Sequence, residues 1–169
     1  MVNLRFELFS GYIAWVELFT GVTNGKALQE NRRMFNCAFV NCTLITSIQH
    51  LFCGVNQALH NFTNQVMKTA DLFTEIVYCM SPSTRINDSL AQFGVTEETR
   101  SLLVVCFDLP SLEIARAAVD GTVASMEHLS QFTNFQRILK AFEISIDELT
   151  MDRSITSAVY TRIAVKDLH

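Results

Sequence analysis

The chain has 169 residues, 49 % of them hydrophobic, with a mean hydropathy of +0.23 and a formal charge of −4 from 13 basic and 17 acidic side chains. That length suits one domain able to bury about two-thirds of its unfolded surface, and the acidic balance argues against whole-molecule attraction to nucleic acid or anionic lipid. Nothing approaches the roughly eighteen uninterrupted apolar residues of a membrane span, so part of the apolar content is expected to meet a partner.

Tyr12 to Phe19 is an aromatic and β-branched run ending at Thr20-Gly21, which predicts a first strand. Thr23 or Asn24 then caps a helix to about Phe35, with Ala27, Leu28, Asn31, Met34 and Phe35 near one face. Ala38 to Ile45 is a short apolar run expected to be the second strand. From Thr46 the period changes. Ile48, Leu51, Phe52, Val55, Leu59 and Phe62 form one helical stripe, and Thr46 with Gln49 has capping-box spacing.

Leu72 to Met80 is rich in Phe, Ile, Val and Tyr and reads as a strand covered on both faces, mid-sheet, ending at Ser81-Pro82. Ser83 or Thr84 can cap the next helix, whose apolar Ile86, Leu90 and Phe93 recur at four and three, with Gly94 in the left-handed closing position. Leu102 to Phe107 is another buried strand, with Asp108 and Pro110 as its stop. Leu112 to Val119 is helical. Met126, Leu129, Phe132, Phe135, Leu139 and Phe142 continue at helical spacing, as one long helix or two short ones. Ile144 to Thr150 fits no single element. Ile155, Ala158, Val159, Arg162 and Ile163 share one face of a last helix. Strands interleaved with helices, without repeats or linkers, give an α/β single domain over residues 1–169 with a sheet of about four or five strands.

The order Lys68-Thr69, Glu75, Ser81-Pro82, Ile86, Leu90 and Phe93-Gly94-Val95, followed by an apolar strand, resembles the TPRKB family, the small kinase-binding regulatory subunit of the KEOPS (EKC) complex. Val16-Glu17-Leu18-Phe19, Thr43 to Ile45 before a helix, and the closing Lys166-Asp167-Leu168 are similar in order and spacing. Ala70 stands where members often carry a basic residue. The resemblance implies a largely antiparallel sheet and a subunit without catalysis of its own or a cofactor. It implies direct binding to the complex's small atypical kinase/ATPase, assembly with the transferase subunit, and tRNA held for threonylcarbamoyl modification of the adenosine next to the anticodon.

The six glycines form neither GxxxxGK[ST] nor GxGxxG, and there is no GxSxG or HExxH. His50 with Cys53, and Cys37 with Cys42, lack the second pair that a structural zinc site needs, which leaves ordinary packing as the preferred reading. His60, His128 and His169 are scattered. Glu75 is the odd residue in its run. It is either a carboxyl tuned for a site or a carboxylate satisfied by backbone or by a base such as Arg85. An enzymatic alternative would use Glu75 with His50 or His60 as a small hydrolase or transferase.

Lys68, Thr69, Ser81 and Arg85, with Ser83 beside them, are the candidate tRNA contacts, because phosphates are held by Lys, Arg and hydroxyls. The competing reading is a solvated polar loop on a subunit that only assembles the complex. Ile155, Ala158, Val159, Arg162 and Ile163 are the first candidate kinase interface, with small Ser154, Ser157 and Thr161 nearby, and the Ile48 to Phe62 helix is the second. Five cysteines without CxxC spacing suggest a reducing compartment, cytoplasmic and nuclear. Arg5 and Glu7 break the N-terminal apolar stretch, so no secretory leader is expected. The sequons at Asn41, Asn61 and Asn87 should then stay unmodified.

Overall fold

The computed structural model describes residues 1–150 and 154–166. In chain order its strands are β1 (Val2–Arg5), β2 (Ile13–Thr20), β3 (Cys37–Asn41), β4 (Ser101–Cys106) and β5 (Thr122–Ala124). Its helices are α1 (Gly25–Asn31), α2 (Ile48–Thr63), α3 (Leu72–Met80), α4 (Ile86–Phe93), α5 (Leu109–Ala118), α6 (Leu129–Phe132), α7 (Phe135–Ala141), α8 (Ile146–Thr150) and α9 (Ile155–Val165). The fold is α/β. Met1–Cys42 with Gly94–Phe132 forms one compact unit, and Thr43–Phe93 with the chain from Thr133 onward forms a second.

The first unit holds the sheet, in the order β1-β2-β4-β3 with β5 also on β2, and every pairing is antiparallel. β2 and β4 are its centre, in register from Trp15 opposite Cys106 to Thr20 opposite Ser101. β1 and β5 share the other edge of β2, pairing with Ile13–Val16 and Leu18–Thr20 respectively. One face carries Phe19, Phe39, Leu102 and Val104, packed with Leu28 of α1 and with Leu112 and Ala115 of α5. The alternate residues Val16, Leu18, Val40, Leu103 and Val105 are buried as well, so β4 is an apolar run without alternation. Glu17 is the exception on β2. It is 3 % exposed and takes a two-pronged ion pair from Arg116 of α5, whose Nε and Nη2 donate at 2.8 and 2.9 Å.

Helix α1 starts after Asn24 and stops at Asn31, and a 3-10 turn continues it to Met34, close to the expected span. Gly25 is there of necessity, because a Cβ would lie 2.3 Å from the carbonyl oxygen of Thr96. The second strand is shorter than expected. β3 ends at Asn41 and Cys42–Leu44 turns as a 3-10 helix. Gly94 does not take the left-handed conformation; it forms an antiparallel bridge with Val40, which leads the chain toward β4. Asp108 ends β4 and also caps α5, accepting from the Ser111 N–H at 2.7 Å.

The second unit is helical, and its main correction to the sequence reading is Leu72–Met80, which is helix α3 and not a central strand. Asp71 starts it from an extended conformation, its carboxylate accepting from the N–H and hydroxyl of Thr74 at 2.8 and 2.7 Å. Ile76 to Met80 are all buried, so the helix is covered nearly all round and shows no one-sided stripe. A nine-residue apolar run of that kind cannot be told from a buried strand by periodicity.

Leu51, Val55 and Leu59 of α2 are fully buried, as its stripe predicts, while Phe62 is 39 % exposed. Its cap is Ser47 rather than Thr46, with Ser47 Oγ accepting from the His50 N–H at 3.2 Å. α2 packs against α3 and α9, and Gly54 leaves room for Met80, whose side chain lies 2.5 Å from where a Cβ would stand. The periodic stretch from Met126 to Phe142 resolves into short helices, because Asn134 caps α7 by accepting from the Arg137 N–H at 3.0 Å. Thr133 Oγ1 donates to Ile45 O at 2.7 Å and Asn134 N donates to Thr43 O at 2.8 Å, fixing where α7 begins. Ile144 to Thr150, open in the sequence, contains α8. Asp167 and Leu168 of the closing motif lie outside the described residues.

Candidate functional site

Two constructions organise the helical unit, one at each end of α3. At its start, Glu75 is completely buried and its carboxylate accepts hydrogen bonds on both oxygens. Its Oε1 accepts from Asn61 Nδ2 at 2.8 Å, and its Oε2 accepts from the N–H groups of Lys68 and Thr69 at 3.1 and 2.9 Å and from the Thr69 hydroxyl at 2.7 Å. This carboxylate folds the loop between α2 and α3 onto α2. It supplies partners for the N–H groups of Lys68 and Thr69, which the loop's own backbone does not. Arg85 takes no part; it is exposed and lies 3.9 Å from Asp88.

At the other end of α3, three carbonyls are taken up by the side chains of Lys166 and His50. Lys166, 6 % exposed and directly after α9, donates from Nζ to Tyr78 O at 2.6 Å and to Ser81 O at 3.0 Å, with its ammonium 3.5 Å from the centre of the Tyr78 ring. A cation at a helix C-terminus meets the negative end of the helix dipole, so the placement is favourable as well as neutralising. His50 of α2 is fully buried, with Nε2 3.1 Å from Met80 O. Its Nδ1 accepts from the Thr46 N–H at 3.3 Å, which puts the ring proton on Nε2. Phe93 and Phe142 pack edge-on against the ring at 6.3 and 5.7 Å. Burial in this apolar setting pulls the His50 pKa down to about 4, against the Met80 carbonyl, which works to raise it.

These contacts hold the Ser81–Thr84 segment as the floor of a cleft of about 730 Å³. The α7 wall presents Arg137 and Lys140, one turn apart and both exposed; neither makes an ion pair among the described residues. The α4 wall presents Asp88 and Gln92, also one turn apart. Arg162 of α9 closes one side, held by Glu148 at 3.0 Å and by the Glu143 carbonyl at 3.4 Å. Glu143, at the end of α7, has a φ of 51°, a left-handed conformation seldom taken by residues with a side chain. The walls thus differ in sign. One attracts phosphate, while the other accepts hydrogen bonds from hydroxyl and amine donors.

A family model described as kinase binding protein CGI-121 matches residues 19–167. The chain belongs to the CGI-121 family. It is 24 % identical over 168 residues to the zebrafish (Danio rerio) EKC/KEOPS complex subunit TPRKB, covering 96 % of this chain and 95 % of that protein. It is 22 % identical over 178 residues to the EKC/KEOPS complex subunit CGI121 of Candida glabrata, covering 99 % and 100 % respectively. With the Aspergillus fumigatus subunit cgi121 it shares 27 % identity over 142 residues, 76 % of this chain and 75 % of that one.

Within this CGI-121 fold, the four candidate tRNA contacts do not form one group. Lys68 and Thr69 sit before the start of α3, and Ser81 and Arg85 follow its end, about 13 Å away along nine residues of helix. Ser81 lines the cleft but is 1 % exposed, and Arg85 lies outside the lining. Of the candidate interface on α9, Ala158, Val159 and Ile163 are buried within the unit and Ile155 and Arg162 are half-buried. The exposed side of that helix carries Ser154, Ser157, Thr161 and Ala164, all small.

Glu75 and His50, paired in the enzymatic alternative, work at opposite ends of α3 and both are occupied by hydrogen bonds; His60 is exposed. No group of three His, Cys, Asp or Glu among the described residues could hold a metal ion. The sequence reading missed Arg137 and Lys140, whose only signal is a pair of cations at helical spacing around Ile138 and Leu139.

Proposed function

We propose that this chain is a non-catalytic subunit of an EKC/KEOPS complex. It binds the small atypical kinase/ATPase directly, assembles alongside the transferase subunit, and helps to hold tRNA for threonylcarbamoyl modification of the adenosine next to the anticodon. The observation that carries this reading is the CGI-121 family match over residues 19–167. Two relatives named as subunits of that complex align over nearly their whole length, which supports it. It also stimulates the kinase by a population shift: by binding one arrangement of the kinase lobes more tightly, the subunit raises its share without lending a catalytic group.

The outward side of α9 is the kinase contact, because small Ser157, Thr161 and Ala164 let another helix pack closely. The tRNA lies in the cleft between α4 and α7, with Arg137 and Lys140 on its phosphates. Co-purification of the tagged chain with kinase and tRNA is the test. Ala164→Arg should abolish kinase recovery and leave the free chain folded, whereas Ala158→Asp should unfold it. Normal kinase recovery with Ala164→Arg would refute the interface. Ala70 and the net charge of −4 favour a second reading, assembly without RNA, in which the kinase is recovered and tRNA is not.

A further inference from the structure

One end of the β3–β4 ladder holds two thiols that take no part in the cleft or in the anchoring of α3. Cys37, the first residue of β3, stands directly opposite Cys106, the last residue of β4. Both are free, 2 % and 0 % exposed, and their side chains are in hydrogen-bonding contact. Residues directly opposite in an antiparallel ladder have Cα atoms about 4.5–5.5 Å apart, inside the range of about 4.4–6.8 Å that a disulfide spans. Cys42 lies in the turn after β3, Cys53 on α2 and Cys79 on α3, and none of them faces another cysteine across a strand pair.

While the ladder is closed the pair is inert. The hydrogen bond to Cys106 and burial push the Cys37 thiol well up from its ordinary value, which leaves no thiolate to attack an oxidant. The same position is easily opened. β3 ends the strand order of the sheet, and its bridge to Gly94 sits at Val40, away from Cys37. The pair is the last rung of the ladder, beside exposed Asn36 and half-buried Phe107. A terminal rung on an edge strand frays at little cost in free energy and exposes both thiols together.

We propose that Cys37 and Cys106 form a reversible cross-strand disulfide, a redox clamp on the edge of the sheet, by exchange with a small-molecule disulfide such as oxidised glutathione. In the frayed ladder one cysteine thiolate attacks a sulfur of the oxidant and releases half of it as a thiolate. The second cysteine then attacks the protein-bound sulfur, closes the Cys37–Cys106 bond and releases the other half. The pair gives up two electrons and two protons, and the oxidant leaves as two thiols. A disulfide holds its Cβ atoms about 3.5–4.5 Å apart, closer than most opposite pairs in a ladder, so the bond is strained and a dithiol reverses it. The loop it closes, from residue 37 to residue 106, contains all of Thr43–Phe93.

The test uses the full chain, first reduced, then incubated with oxidised glutathione over a series of urea concentrations below the unfolding transition. Remaining thiols are alkylated after denaturation, and the peptides are mapped by mass spectrometry. One pair of peptides should be joined, through Cys37 and Cys106, with Cys42 and Cys79 recovered alkylated. The joined chain should melt about 10 °C above the reduced one, as a cross-link closing so long a loop implies, and dithiothreitol should remove the gain. Trp15, the single tryptophan, lies directly opposite Cys106 on β2, so its fluorescence should fall as the disulfide forms beside it. Cys37→Ala and Cys106→Ala should each abolish the fluorescence change and the gain in melting temperature, and Cys53→Ala should keep both. The peptide map of the wild-type chain decides the matter even where an alanine variant does not fold. Recovery of both Cys37 and Cys106 as alkylated thiols throughout the series would overturn the proposal. So would a bond to a different cysteine, or a joined chain that melts no higher than the reduced one.

Discussion

Protonation of His50 should make this protein acid-labile in a defined pH window. The imidazole is fully buried, donates to Met80 O and accepts from the Thr46 N–H, so its neutral form fits and its charged form has no counter-charge in these contacts. Its pKa falls from 6.5 to about 4 on folding. Between those values the unfolded chain binds a proton that the folded chain refuses, so stability rises with pH across the window and is lost as pH falls through it. The whole difference is worth about 3 kcal/mol, a large part of a stability of roughly 5–15 kcal/mol.

Urea unfolding followed by far-ultraviolet circular dichroism at half-unit steps from pH 3.5 to 7.5 measures this directly. The His50→Gln variant isolates it. Gln keeps a donor for Met80 O but does not titrate, so it should be less stable than the wild type at pH 7.5 by about 2 kcal/mol and should approach it near pH 4. A His50→Gln curve parallel to the wild type across the window would refute the argument. So would an NMR titration in which the His50 ring protonates near its ordinary value.

Glu75→Gln should destabilise the chain by about 2–4 kcal/mol, because an amide cannot accept from two backbone N–H groups, a hydroxyl and Asn61 together; chemical denaturation checks this, and a change below 0.5 kcal/mol would contradict the anchoring role. Lys166→Met should cost about 2 kcal/mol by leaving Tyr78 O and Ser81 O without their charged donor, with hydrogen exchange rising first in the last turn of α3. Glu143→Gly should add about 1 kcal/mol, since glycine adopts a φ of 51° without the clash of a Cβ; thermal unfolding reads the sign.

The family was legible in the sequence because its signature residues lie within one stretch, from Lys68 to Val95, where spacing alone identifies them. β2 and β4 were legible as apolar runs, and α2 and α5 as helices, because each of these elements is about as long as its own periodic pattern. The strand expected at Leu72–Met80 failed for the reason that makes α3 central. Buried on nearly all sides, it lost the polar face from which a helix is recognised, and the capping pair Asp71 and Thr74 was the remaining clue. β1 and β5, of four and three residues, are too short to show a period and exist by pairing with β2.

The sequence by itself determined the α/β class, β2 and β4 as strands and the membership of the CGI-121 family, because local propensity and ordered spacing carry those, whereas the antiparallel pairing of the two strands at the centre of the sheet is a fact of the tertiary structure. Only the tertiary structure decided that Glu75 is an anchor and that the apolar side of α9 is core. It alone joined Asp88, Arg137 and Lys140 in one cleft. Those residues come from segments about fifty positions apart, and nothing in a linear pattern relates them until α3 is tied down by Lys166 and His50.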